Sequence, residues 1–266
     1  MSEAGIRLVC FSLVLLGLAI WERTAPGYPR TRPLNARWPA NFGLAVVGIL
    51  LVRIVFRAAA VGAATYAAKE GIGLFNSVVL PFGLTVIFSV MLLDLVIYLQ
   101  HRLFHVVPAL WSLHRVHHAD PELDVSSALR FHPIEALLSM ILKAGMALAI
   151  GMPPLAVLIF EIMLNATAMF NHSNGALPPW LEKAVIRILV TPNMHRIHHS
   201  TDRAQANTNF GFSVPWWDRL FRTYRHAADH SGVETRIGLP DGPPEDLHLR
   251  LPGMLTMPFN RSRARR

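Results

Sequence analysis

Five apolar segments divide the first two thirds of the chain, and each approaches the length needed to cross a bilayer. They run from Ile6 to Trp21, Phe42 to Phe56, Val78 to Leu99, Leu137 to Ile150 and Leu155 to Phe170. The third run is the clearest, because the hydrocarbon core of a membrane requires about 20 helical residues. The last two runs are short and one contains Lys143. The pattern predicts an all-α protein built as an integral membrane helical bundle with four or five membrane helices.

Two interpretations compete for the first apolar run. A cleaved signal peptide would begin with a basic region and end at a small-x-small site, and neither is evident before Glu22. We therefore expect residues 1–41 to form a retained anchor helix followed by a basic loop. The main domain is predicted at residues 42–225, and the Pro-, Gly- and charge-rich residues 226–266 are predicted to be a loosely ordered basic tail.

Composition agrees with a membrane protein. Of 266 residues, 52% are hydrophobic and only 16% are charged, whereas an average soluble domain has roughly 25% charged residues. That deficit argues against an ordinary soluble globule and against disorder. The single cysteine, Cys10, excludes an intramolecular disulfide.

The formal net charge of +8 is explained by membrane topology and needs no nucleic acid partner. Arginines concentrate on alternate connections between the apolar runs, which places those connections in the cytoplasm by the positive-inside rule. These arginines are Arg23, Arg30, Arg32 and Arg37 before the second run, and Arg102, Arg115 and Arg130 between the third and fourth. Most histidines fall on the same side, so the sequence predicts a cytoplasmic histidine-rich helical cap.

Histidine is the unusual residue, because ten of the 13 lie between His101 and His199. Nine of them occur in groups with same-face helical spacing or directly after an apolar run. These are His101, His105, His114, His117, His118, His172, His195, His198 and His199. One isolated histidine is usually a surface or satisfied core residue, but three such clusters on one predicted side are hard to explain by packing.

Metal binding explains the clusters, since charged imidazoles would repel and neutral ones would bury unsatisfied nitrogens. Nine histidines exceed one coordination sphere, whereas two ions of roughly six-coordinate geometry would leave about three positions for water, oxygen or a bridge. Imidazole suits iron, zinc and copper, so the spacing alone leaves the metal open. The chain contains no HExxH and no CxxC motif.

The motifs together resemble the fatty acid hydroxylase superfamily, and within it bacterial members of the sterol desaturase branch. The resemblance extends from about Arg37 to Tyr224 and is specific only as a combination. It rests on DxxxYxxHRxxH (94–105), PxLWxxHxxHH (108–118), RFHPxE (130–135), FNHSN (170–174), TPxMHxxHH (191–199), NFGF (209–212) and WWDxLFxT (216–223).

This resemblance implies a membrane non-heme di-iron domain at residues 42–225 that hydroxylates or desaturates a lipid C–H bond with O2. It implies that the nine histidines ligate two iron ions and that Asp94, Tyr98 and His132 support them from the second coordination shell. Because the chain has no dinucleotide or cytochrome b5 motif, electrons are expected from a separate ferredoxin, or a cytochrome with its reductase. The expected location is the bacterial inner membrane with the metal site on the cytoplasmic side.

A membrane metal transporter or metal sensor is the alternative, since it would also explain clustered histidines. Transporters generally place such ligands near the bilayer midplane, whereas these histidines lie at or beyond the ends of the apolar runs. The lipid substrate and the choice between hydroxylation and desaturation stay open at this stage.

Overall fold

The structure is a computed structural model that describes residues 1–56, 59–226, 236–240 and 249–260. All regular elements among these residues are helices, which confirms the predicted all-α class. The α-helices are α1 (Glu3–Thr24), α2 (Trp38–Val55), α3 (Ala59–Glu70), α4 (Leu74–Ser77), α5 (Phe82–Val106), α6 (Pro108–His118), α7 (Pro133–Ile150), α8 (Pro154–His172), α9 (Pro179–Val185), α10 (Pro192–His198), α11 (Arg203–Ala206), α12 (Trp216–Leu220) and α13 (Leu251–Thr256). Short 3-10 helices occupy Leu34–Ala36, Ser127–Leu129 and Met257–Phe259.

Five stretches of the described chain are long and apolar enough to cross a membrane, matching the upper predicted count. They are Glu3–Thr24, Leu34–Ser77, Phe82–Val106, Pro133–Ile150 and Pro154–His172. The third stretch, Phe82–Val106, ends later than the apolar run that ends at Leu99. Helix α5 continues without interruption through the polar sequence that follows Leu99. The last two turns of α5 therefore carry His101 and His105 beyond the apolar part of the helix.

Three charged residues of the membrane helices form a network of ion pairs. Lys143 on α7 donates to the buried carboxylate of Glu161 on α8 at 2.6 Å, and Arg7 on α1 reaches the other oxygen of Glu161 at 2.6 Å. Pairing lowers the cost of holding ionisable groups at membrane depth. The lysine that interrupts the fourth apolar run thus joins three helices of the bundle.

The connection between α7 and α8 is a tight turn at Gly151, which has a φ of +73°. A Cβ atom on Gly73 would lie 2.2 Å from the Gly151 nitrogen, so both positions require glycine. Pro154 then begins α8, where its missing N–H costs nothing. This close approach fixes the end of the α7–α8 pair that lies away from the histidines.

Several helix ends meet at the opposite end of the bundle. The carboxylate of Glu22, near the end of α1, accepts the backbone N–H groups of Val125 and Asn174, both at 2.7 Å. Arg37, just before α2, is 1% exposed and donates to Asp120 at 2.8 and 3.0 Å and to Asp124 at 2.9 Å. These bonds secure the cap segments that follow α6 and α8 to the first two helices.

The residues after α12 differ in part from the predicted loosely ordered tail. Met254 on α13 and Met257 are buried in an apolar cluster with Leu44 of α2 and Val116 of α6. Arg115 on α6 donates to the carbonyl of Met257 and, at 3.3 Å, to that of Asn260. Residues 249–260 are ordered because their apolar side chains cover α2 and α6. The rest of the predicted tail, at 227–235, 241–248 and 261–266, lies outside the described residues.

Candidate metal centre

The nine histidines predicted as ligands meet in two adjacent groups at the cap end of the bundle. In each group, one ring nitrogen from every member lies within 4.8 Å of the others. The five-histidine group contains His101, His105, His114, His118 and His198, and the four-histidine group contains His117, His172, His195 and His199. Eight of the nine side chains are buried and His105 is half-buried.

Helix geometry explains how each HxxHH motif contributes to both groups. On α6 the i,i+4 pair His114 and His118 joins the five-histidine group, whereas His117 turns to the four-histidine group. The second motif reverses this arrangement: His195 and His199 join the four-histidine group, and His198 joins the five-histidine group. The rings of His118 and His199 stack with centroids 4.3 Å apart, so the groups lie side by side.

Ring nitrogens face one another in both groups. The Nε2 atoms of His101 and His114 are 3.0 Å apart, and those of His117 and His172 are also 3.0 Å apart. The buried Nε2 atoms of His105, His118 and His198 have no hydrogen-bond partner among the described residues. A buried polar atom without a partner costs about 1–3 kcal/mol. A metal ion in each group would bind these nitrogens, so the donor set fits two ions.

Hydrogen bonds at the outer ring nitrogens orient several imidazoles. In each of these imidazoles, Nδ1 carries the proton and donates it to an acceptor outside the histidine group. The lone pair of Nε2 then points into the histidine group, as metal ligation requires. The acceptors are the carbonyls of Phe210 for His101 (2.7 Å), Thr208 for His198 (2.8 Å) and Ala168 for His172 (2.8 Å), and a carboxylate oxygen of Glu135 for His114 (2.7 Å).

The cap histidines are held in the neutral form that binds metals. Burial lowers the pKa of His114 to about 3. Burial, followed by the repulsion of neighbouring imidazoles, lowers the pKa of His117, His118, His195 and His199 well below the ordinary histidine value. A metal ion therefore meets deprotonated ligands at neutral pH and displaces no protons from them.

Asp94, which the sequence predicts as a supporting residue, bonds to no imidazole among the described residues. One of its carboxylate oxygens accepts the indole N–H of Trp217 at 2.8 Å. Asp94 and His101 share a face of α5 but are seven residues apart, which places them about 10 Å apart along the helix. The carboxylate that does contact a predicted ligand is Glu135, in the first turn of α7. The RFHPxE motif contained this residue, but its sequence offered no signal of a contact with His114.

Tyr98 and His132, the other predicted supporting residues, lie outside the two groups. The Tyr98 hydroxyl bonds to the Thr223 hydroxyl at 2.8 Å, and the Tyr98 ring packs edge-on against the Phe210 ring. His132 caps the start of α7, where its Nδ1 accepts the Ile134 N–H at 3.3 Å. Its other ring nitrogen lies 3.3 Å from the Leu255 carbonyl, so His132 connects α7 to the C-terminal segment.

Comparison with known proteins agrees with this site. The profile of the family described as fatty acid hydroxylase matches residues 86–223, which include all nine histidines. Ornithine lipid hydroxylase OlsE of Rhizobium tropici is 28% identical over 157 residues, covering 59% of this chain and 46% of that protein. Human alkylglycerol monooxygenase is 29% identical over 134 residues, covering 48% of this chain and 27% of that protein.

Human cholesterol 25-hydroxylase is 26% identical over 145 residues, covering 54% of this chain and 52% of that protein. The chain thus spans about half, or less, of the length of the curated relatives it matches. No solved structure matches the chain.

The contact between Glu135 and His114 predicts a loss of metal affinity in Glu135→Gln. The amide keeps the shape of the side chain but replaces the carboxyl group that holds Nδ1 of His114, and such changes typically cost roughly 10–100-fold in metal affinity. Competition of the purified protein against a chromogenic Fe²⁺ chelator measures this. Glu122→Gln is the matched control, because Glu122 bonds to Arg37 and Thr31 and contacts no histidine. Equal affinities of the two variants would contradict the role given to Glu135.

The neutral cap histidines predict that the metal-free protein loses stability in acid. In the unfolded chain they bind protons below about pH 6.5, whereas the folded cap keeps them neutral at that pH. At these histidines the unfolded state then binds more protons, so their contribution to stability is complete above about pH 7 and declines as pH falls. Thermal unfolding of chelator-treated protein across this range measures the effect, and His118→Gln is expected to reduce the slope. An unfolding temperature that rises on acidification would contradict the assignment.

Proposed function

This chain belongs to the fatty acid hydroxylase family, and we propose that it is a membrane non-heme di-iron oxygenase that hydroxylates a lipid. The oxidant is O2, and a separate electron-donor protein supplies two electrons. The observation that carries the proposal is the pair of adjacent groups of buried, neutral imidazoles at one end of a bundle of apolar helices.

The donor chemistry supports metal binding, and the relatives support iron and oxygen. Imidazole alone suits several transition metals, but the names of the matched relatives describe hydroxylases and a monooxygenase. A bound iron pair would supply the redox chemistry by which one oxygen atom of O2 enters the C–H bond and the other leaves as water. Two protons and the two donated electrons complete that balance.

The residues of this chain contribute ligation, orientation and the exclusion of water. Five and four histidines provide the two ligand sets, and their outer hydrogen bonds fix ring orientation before any ion binds. Burial of the imidazoles keeps bulk water away, which limits side reactions at such a centre. His101 and His172 lie in the last turns of apolar helices, so the ligand groups adjoin the depth at which lipid chains begin.

A bilayer lipid with a long hydrocarbon portion is the proposed substrate class. The relatives are named for an ornithine lipid, an alkylglycerol and cholesterol, which differ in headgroup and share a large apolar part. Hydroxylation is preferred over desaturation because these names describe hydroxylation or monooxygenation. The proposed location is a bacterial inner membrane with the metal centre on the cytoplasmic side. Arg37 and Arg115, which lie at the cap end of the bundle, are consistent with that orientation.

Lipid mass spectrometry of cells that express the chain tests the proposal. Wild type is expected to convert one lipid class to a product with one additional oxygen atom, whereas loss of two hydrogen atoms would identify a desaturase. His117→Gln is expected to abolish the product because it removes one of four ligands from its group. His132→Asn is the matched control: it lies outside both groups, and asparagine also caps helices well.

Two results would contradict the proposal. The first is an unchanged lipid profile while the wild-type protein is folded, iron-loaded and supplied with O2 and reductant. The second is metal uptake into vesicles that depends on His117 without lipid oxidation, which would identify the metal transporter instead.

A further inference from the structure

We propose that Asp218 is a positioning residue for the metal centre, acting on His101 through the peptide group that joins Phe210 to Gly211. This inference rests on the proposed metal centre, because it concerns how one of its ligands is oriented and polarised. Asp218 lies on α12, one peptide group away from His101, and bonds to no histidine among the described residues.

The relay consists of two hydrogen bonds on one peptide group. The Gly211 N–H donates to Oδ2 of Asp218 at 2.8 Å. The carbonyl of the same peptide unit, that of Phe210, lies 2.7 Å from Nδ1 of His101. A carboxylate at the N–H end polarises the amide and makes its carbonyl a stronger acceptor, as in other chains of hydrogen bonds.

Burial raises the pKa of the Asp218 carboxyl, and its hydrogen bonds with Thr223, Gly211 and Phe210 oppose that rise. Its side chain is completely buried, and three donors point at it: the N–H groups of Phe210 and Gly211, both at 2.8 Å, and the hydroxyl of Thr223 at 2.6 Å. Because Thr223 donates to Asp218, the Tyr98 hydroxyl donates to Thr223. Tyr98, which shares a face of α5 with His101, thus fastens Asp218 to the same helix.

Glycine at position 211 is a steric requirement of this arrangement. A Cβ atom there would lie 2.9 Å from Oδ2 of Asp218 and 2.7 Å from the Val214 carbonyl oxygen. Both distances are shorter than ordinary van der Waals contacts. The absent side chain is what lets the carboxylate approach the peptide N–H.

The relay gives the five-histidine group a second carboxylate. Glu135 bonds directly to His114, and Asp218 reaches His101 through one peptide. In the four-histidine group, the oriented His172 bonds only to neutral oxygens, the Ala168 carbonyl and the Asn171 side chain. Direct and peptide-mediated hydrogen bonds to carboxyl groups therefore distinguish the five-histidine group, and a change at Asp218 is expected to act on the metal position of that group.

The test is Asp218→Asn in the full-length, iron-loaded protein. Asparagine keeps the size of the side chain and removes the charge. Fe²⁺ affinity is expected to fall by roughly tenfold, the low end of the range for supporting residues, because the effect passes through a peptide. In Mössbauer spectra, one of the two iron populations is expected to shift while the other stays unchanged.

Asp94→Asn is the matched control. Asp94 is also a buried carboxylate and also bonds to the α12 segment, through the indole of Trp217, but no peptide connects it to an imidazole. Its expected iron affinity and spectrum are those of wild type. Thr223→Val, which removes one donor to Asp218 but leaves the Gly211 bond, is expected to have an intermediate effect.

The outcomes separate this inference from the proposed function. A wild-type protein that binds no iron would overturn the proposed function together with this inference. Wild type that binds two iron ions, with Asp218→Asn and Asp94→Asn equal in affinity and in both iron spectra, would overturn the relay alone. If Asp218→Asn does not fold, Thr223→Val carries the test, and a smaller shift confined to the same iron population is expected.

Discussion

Nine imidazoles that meet in one place, eight of them buried, are the constraint on which the rest of this structure depends. Their nitrogens face one another at distances near 3 Å, away from water and without enough hydrogen-bond donors or acceptors to satisfy them all. Metal ions would resolve this arrangement, whereas packing alone would leave it costly. The ends of α5, α6, α8 and α10 must therefore meet with little freedom, and the surrounding polar contacts serve that convergence.

Many of the contacts that hold the histidine-bearing segments in place come from residues outside the region that matches the family profile. Glu22 and Arg37 lie before residue 86, and they anchor the backbone at Val125 and Asn174 and the carboxylates of Asp120 and Asp124. Residues 249–260 lie after the matched region and pack against α6, where Arg115 sits between the ligand candidates His114 and His117. The candidate ligands thus lie within the region that matches the family, while many of the contacts that hold their segments in place come from flanking residues.

The sequence was sufficient to predict features that depend on local pattern. Apolar length predicted the membrane helices, and the 3.6-residue period predicted that His101 and His105, or His114 and His118, share a face. Sequence reasoning failed where contacts join distant segments. Asp94 was assigned to an imidazole that lies two turns away, and Glu135 and Asp218 were not assigned to His114 and His101. Glu135 and His114 are 21 residues apart in the chain. Asp218 reaches His101 only through the peptide group that joins Phe210 to Gly211. No local period encodes such contacts.

Composition alone is also a limited guide to the structure of the C-terminal residues. Proline, glycine and charge dominate 226–266 and predict weak order, but Met254 and Met257 are enough to bury α13 and the following turn. A few apolar side chains that pack against a complementary surface can bury a segment whose average composition is polar.

X-ray absorption and Mössbauer spectroscopy of the purified, iron-loaded protein test the central claim most directly. Two adjacent ligand groups predict two iron ions per chain, with imidazole nitrogen as the main ligand and spectra of a magnetically coupled pair. One ion per chain, or two ions with the spectra of isolated centres, would contradict the account.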